Sequence, residues 1–254
     1  MEIPPILACD IGNSRVALAV VQGDDVKELR RLGKGELSEL GEAMKHLWEN
    51  GRCQHIVASS VNPKHLAAVE AAAGAMGESV LLVGRDIPLP IETDLAEPAR
   101  IGTDRLCSAA MAFQRLGRSC VVASFGTAIT IDAVNEDGRF LGGSILPGLR
   151  TQVESLAQHT ALLPRVELTN PDWVFGGNTA QAIVGGVVFG ARGAMREITE
   201  RYATELGHWP LVIITGGDAE LVTAGYEFAQ AIVPELCLLG VAMAFYISRP
   251  AEEP

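Results

Sequence analysis

Val121-Val122-Ala123-Ser124-Phe125-Gly126-Thr127-Ala128-Ile129-Thr130-Ile131-Asp132-Ala133-Val134 is the stretch that decides the fold. Apolar residues run into a glycine and out again, the pattern of a buried strand, a tight turn and a return strand. The chain opens the same way. Ile6 to Cys9 reads as a strand, Asp10-Ile11-Gly12-Asn13-Ser14 as the turn, and Val16 to Val21 as the return. Laid over one another without a gap, Leu7 falls on Val121, Gly12 on Gly126, Asn13 on Thr127 and Val20 on Val134. An acidic turn follows each copy, Gly23-Asp24-Asp25 and Asn135-Glu136-Asp137-Gly138. The repeat predicts a duplicated α/β domain, with residues 1–117 as one half and 118–254 as the other.

Outward from these copies the chain alternates helices and strands. Residues 36–50 have helical spacing, Ile56-Val57-Ala58 reads as a strand, 63–75 as an Ala-rich helix and Val80 to Val83 as a strand. After a Pro-bearing segment, Ile87 to Pro98, Gly102-Thr103-Asp104-Arg105 opens a helix to about Leu116. Past the second copy, a strand leads to Gly142-Gly143-Ser144-Ile145-Leu146-Pro147-Gly148 and a helix, and Gly176-Gly177-Asn178-Thr179 opens a long one. Leu211 to Ile214 reads as a buried strand running into Thr215-Gly216-Gly217-Asp218. The last helix is expected after Val233, with Pro234 in its first turn. Its apolar run, Leu236 to Ile247, is 12 residues, against about 20 for a bilayer span, so it reads as a buried helix.

The formal net charge is −11. Nucleic-acid binding, which needs clustered Lys and Arg, is disfavoured. The four lysines are Lys27, Lys34, Lys45 and Lys64. An anion held by the C-terminal half must therefore meet Arg, backbone N–H groups or a metal. The five cysteines show no C-x-x-C pair and sit among apolar residues, so buried free thiols are expected. The histidines lack zinc-site spacing. The N-terminus has neither the basic start nor the apolar run of a secretory signal, and the expectation is a cytoplasmic protein with no membrane partner.

Four glycine-bearing motifs carry candidate chemistry. In Asp10-Ile11-Gly12-Asn13-Ser14, glycine lets the backbone approach a phosphate, Asn13 and Ser14 add donors, and Asp10 can hold Mg²⁺. An ordinary hairpin turn explains the same residues. In Gly102-Thr103-Asp104-Arg105, Asp104 suits a base for a substrate hydroxyl and Arg105 a clamp for an anion. Helix capping explains that motif too. Thr215-Gly216-Gly217-Asp218 suits either a nucleoside or tight strand–helix packing, and the glycines of 142–148 could form only a turn. No P-loop motif is present, since Gly33-Lys34-Gly35 is followed by Glu, and no G-x-G-x-x-G follows the first strand.

In order, D-I-G-N-S (10–14), I-G-T-D-R (101–105), F-G-T-A-I-T-I-D (125–132), G-G-S-I-L-P-G (142–148), G-N-T-A-Q-A-I (177–183) and T-G-G-D-A (215–219) resemble the type III pantothenate kinases. The resemblance implies an actin-like fold of two ribonuclease H-like halves, each with a central mixed sheet flanked by helices, and ATP bound in the cleft. It implies ATP- and Mg²⁺-dependent phosphorylation of pantothenate on its primary hydroxyl, the first step of coenzyme A synthesis. Carried onto this chain, Asp10, Ile11, Gly12, Asn13, Ser14, Arg15, Val16 and Ala17 form the first phosphate loop, with Asp10 toward Mg²⁺ directly or through water. Thr127 touches phosphate, and Gly216 and Gly217 lie near the adenosine. Gly102, Thr103, Asp104 and Arg105 line the pantothenate site with Asp104 as general base. Thr179 reaches pantothenate from the neighbouring subunit of a homodimer.

Two positions depart from the family pattern. Many members carry Asp at the position of Ser124, where it helps bind an activating monovalent cation, K⁺ or NH₄⁺. Many carry Tyr at the position of Leu95, packed on pantothenate. A kinase for another small hydroxy acid and a non-catalytic nucleotide-binding regulator on the same scaffold are the alternative readings.

Overall fold

The computed structural model describes residues 3–226 and 228–249. The chain divides into two units, one of Met1–Arg115 with Glu235–Pro254 and one of Leu116–Pro234.

The first unit is built on a five-stranded sheet. Its strands are β1 (Ile6–Ile11), β2 (Arg15–Gln22), β3 (Asp25–Gly33), β4 (Ile56–Ser60) and β5 (Val80–Leu82), in the order β3-β2-β1-β4-β5. β1, β2 and β3 pair antiparallel, and β4 and β5 add in parallel. The parallel steps need crossovers. The first includes helix α1 (Leu40–Gly51) and the second is helix α2 (Pro63–Ala75). β1 is buried along almost its whole length, because helices cover both faces of the sheet. Met44, Leu47 and Val69 pack with Leu7, Cys9 and Ile11 in one core. Helix α7 (Leu236–Ser248), apolar around its whole circumference, packs on β1, β2 and β4. A two-residue strand, β6 (Glu92–Thr93), precedes helix α3 (Thr103–Leu116).

The second unit repeats this topology. β7 (Cys120–Phe125), β8 (Ala128–Val134) and β9 (Arg139–Pro147) pair antiparallel, β10 (Leu211–Thr215) joins β7 in parallel, and β11 (Ala231–Ile232) joins β10 in parallel. Helices α4 (Leu149–His159) and α5 (Thr179–Leu206) fill the crossover to β10, and α6 (Ala219–Thr223) follows it. Val184, Val188 and Met195 of α5 meet Ile129 and Ile131 of β8 in a buried core.

Several expectations need correcting. The second half does not run to residue 254: from Glu235 the chain groups with the first unit, because α7 has its apolar partners there. Pro234 precedes α7 rather than sitting in its first turn. β3 has no apolar run to announce it in the sequence, because it lies on a largely exposed edge of the sheet. Residues 142–147 are not a free turn but the body of β9.

The overlay of the two copies also needs a one-residue gap. Gly12 N–H bonds to Arg15 O in the first turn, whereas Gly126 N–H bonds to Ala128 O in the second. Beyond the turn the register irregularities fall at Val20/Val21 and at Ala133/Val134, so Val134 matches Val21 and not Val20. A one-residue slip normally exposes itself by moving the apolar face. β2 is buried on both faces, so the sequence has no alternation to betray it.

Candidate active site

In the first unit the site residues collect where β1 ends. Asp10 is the last residue but one of β1, paired with Ala17 on β2 and Ser59 on β4. The turn that follows is held by the start of α2 and the two residues before it. Val61 N–H donates to Ile11 O at 3.1 Å, the Asn62 side-chain amide donates to Asn13 Oδ1 at 3.4 Å, and His65 Nδ1 meets Gly12 O at 2.8 Å. Asn62 Oδ1 also caps α2 by accepting from Lys64 and His65 N–H. Gly12 spends its own N–H on Arg15 O, so that donor is committed within the hairpin. Asn13 N–H has no acceptor among the described residues.

Helix α3 brings Asp104 to the same place. Gly102 precedes it because a Cβ there would stand 2.5 Å from Asp104 Oδ1. Thr103 Oγ1 bonds to Ser59 Oγ at 3.0 Å and accepts from Ser60 N–H at 3.2 Å, fastening the helix start to β4. Asp104 Oδ1 accepts the Arg105 N–H at 2.9 Å. Burial pushes the Asp104 carboxyl up, against that hydrogen bond and the Arg105 charge. Asp10 is raised to about 6, by burial first and then by the charge of Asp104, while the Cys237 thiol and Arg15 oppose the shift. Two carboxyls thus share one enclosed, partly solvated spot, with Cys107 and Cys237 close to both. The sequence reading joined Asp10 and Asp104 only through family resemblance. It missed Asn62, His65 and Cys237, because nothing in the α2 or α7 pattern points at a turn elsewhere in the chain.

The second unit carries the counterpart turn. Ser124 takes the place of Asp10, pairing with Thr130 and Thr215. Thr127 is exposed, and its carbonyl accepts from Gly148 N–H at 3.0 Å and Thr151 Oγ1 at 2.8 Å. The start of α4 is therefore docked on the turn. Only glycine fits at 148, since a Cβ would overlap the Gly126 carbonyl oxygen. Gly216, at φ +98°, lies against the Phe125 backbone, which explains its identity by packing. Gly217 is exposed. Asp218 is buried and meets Arg150 Nη2 at 3.2 Å, leaving most of the Arg150 side chain in solvent. Arg150 stands beside the second turn as an arginine, one of the three kinds of anion partner that the lysine distribution leaves open, and the sequence reading did not name it.

At 177–181 the arrangement is a helix cap. Asn178 Oδ1 accepts from Gln181 N–H at 2.9 Å, and Gln181 Oε1 accepts from Gly177 N–H at 2.8 Å. Thr179 is the first residue of α5 and exposed. Leu95 is 39% exposed. Among the described residues no group of three or more His, Cys, Asp or Glu is arranged to hold a metal, and no helix is long and apolar enough to cross a membrane.

Residues 6–201 match the family model for type III pantothenate kinase. The chain belongs to the type III pantothenate kinase family. A type III pantothenate kinase of Syntrophus aciditrophicus is 30% identical, with 94% of this chain and 98% of the relative covered. One of Dehalococcoides mccartyi is 29% identical over 96% and 98%. Among solved structures, a Campylobacter jejuni chain described as a Baf family transcriptional activator superposes with TM-score 0.64 at 21% identity, covering 95% of this chain and 98% of that one. The ethanolamine utilization protein EutJ of Carboxydothermus hydrogenoformans gives 0.56 at 13%, over 96% and 90%. These likenesses bear on fold alone, and the fold is the actin-like one that the type III pantothenate kinase motifs implied. As a member of that family the chain is a kinase.

Proposed function

We propose that this chain transfers the terminal phosphate of ATP to the primary hydroxyl of pantothenate, with Asp104 as the base and Asp10 as the carboxylate facing Mg²⁺. Phosphorylation of pantothenate in coenzyme A biosynthesis is the activity of the family to which the chain belongs. The observation that carries the residue roles is the shared enclosure of Asp10 and Asp104 at the end of β1, both carboxyls pushed up.

A primary hydroxyl is a poor nucleophile, so a carboxylate that accepts its proton as the phosphoryl group arrives lowers the barrier. A raised Asp104 is a stronger base than a solvated aspartate. Arg105, next along α3, suits the pantothenate carboxylate. The Asn13 N–H and the exposed Thr127 suit phosphate oxygens, and Arg150 offers a cation beside the second turn. The donor set fits Mg²⁺, which takes one or two carboxylates and completes its shell with phosphate oxygens and water. Asp10 would hold the ion, and the ion would neutralise charge on the phosphates. Ser124 offers a neutral hydroxyl where the family pattern has a carboxylate, which favours a weak dependence on K⁺ or NH₄⁺.

The reading includes a homodimer in which Thr179 serves the partner's substrate. Val174 and Phe175, shortly before Thr179, are 81% and 87% exposed, and apolar side chains so placed suit an interface. Five free thiols suit a reducing compartment such as the cytoplasm.

The test is ADP release by the purified protein with MgATP, with and without pantothenate, and the mass of the product. Pantothenate-dependent release yielding phosphopantothenate is expected. Release that another hydroxy acid supports equally well would move the acceptor away from pantothenate, and Leu95 would be the first residue to examine.

A further inference from the structure

We propose that His65 is a positioning residue for the nucleotide, gripping the Gly12 carbonyl so that the Asn13 N–H is aimed at phosphate. This rests on the reading of Asp10 to Ala17 as the first phosphate loop.

A carbonyl oxygen can only accept, so the 2.8 Å contact of His65 Nδ1 with Gly12 O assigns the proton to Nδ1. The Gly12 carbonyl and the Asn13 N–H belong to one rigid peptide plane. No cis peptide is present among the described residues, so the two groups point in opposite directions. Fixing the carbonyl toward α2 therefore turns the N–H away from α2, and that N–H has no protein acceptor. Glycine gives this plane freedom to rotate, and the grip removes it.

The grip itself is anchored. His65 occupies the first turn of α2, its N–H accepted by Asn62 Oδ1 at 3.1 Å, and the Asn62 amide reaches Asn13 Oδ1. Donors fixed before the ligand arrives cost no reorganisation when charge must be met. An Nδ1–H donor exists in both the neutral tautomer and the protonated ring, so His65 acts through orientation and not through proton transfer.

The experiment is steady-state kinetics of His65→Ala and His65→Asn, whose amide replaces the Nδ1–H donor. His65→Ala should raise KM for MgATP roughly five- to thirtyfold, the scale of one lost oriented hydrogen bond. It should leave kcat within about twofold at saturating ATP and leave the shape of the pH profile unchanged. His65→Asn should restore most of the loss. An unchanged KM for MgATP in His65→Ala, or equal loss in both variants, overturns the proposal. Should His65→Ala fail to fold, His65→Met against His65→Asn makes the same comparison with bulk retained. Gly12→Ala and Asp10→Asn run alongside: if neither alters ATP binding, the phosphate-loop reading itself falls.

Discussion

The Asp10 carboxyl is held at about 6 by burial and, after it, by the charge of Asp104. The folded value lies above the ordinary 3.8, so between these values the folded state binds more protons than the unfolded one. The cost to stability is absent below about pH 4, grows through pH 6 and is complete above it. A shift of this size corresponds to about 3 kcal/mol at most. Asp10→Asn should therefore raise Tm by several degrees at pH 7.5 in metal-free buffer, and by nothing near pH 4, while activity is lost. Equal melting of the two proteins at pH 7.5 would show that Asp10 carries no such burden.

Replacing Asp104 by Asn keeps the shape and removes the proposed base. Turnover should fall roughly a hundredfold or more, with ATP affinity by calorimetry close to that of the unaltered protein. Undiminished turnover would take Asp104 out of the base role.

Gly216 and Gly217 should separate packing from ligand contact. Gly216→Ala places a Cβ on the Phe125 backbone at positive φ and should destabilise by about 2 kcal/mol or more. Gly217→Ala, at an exposed position, should leave chemical denaturation nearly unchanged. A raised KM for ATP in that second variant would support an adenosine contact, whereas an unchanged KM would remove it.

At constant ionic strength, replacing Na⁺ by K⁺ should change the rate by less than about twofold, because a neutral Ser124 is a poor ligand for a monovalent cation. A strong K⁺ requirement would mean that other oxygens complete a site there.

Burial holds the thiols of Cys9, Cys107 and Cys120 far above their ordinary range. Alkylation at pH 8 should leave all three unmodified in the native protein and label them in denaturant. Native labelling at Cys107 would indicate that α3 opens readily.

The repeat in the sequence was enough to predict two α/β units, because a buried strand, a glycine turn and a return strand are local features with a local signature. Family motifs supplied Asp10, Asp104 and Arg105 for the same reason: each sits in a short run whose residue types are constrained together. Three things were settled only by packing. The C-terminal helix joined the first unit because an all-round apolar helix will bury itself wherever a bare sheet face is offered, and its own residues do not say which. The one-residue difference between the turns was hidden by strands buried on both faces. His65, Asn62 and Cys237 came to the site from helices whose patterns record only their own periodicity. Contacts between segments far apart in the chain leave no spacing to read, so the sequence determined the two units and the types of candidate site residue, and the tertiary structure decided which side chains hold them in place.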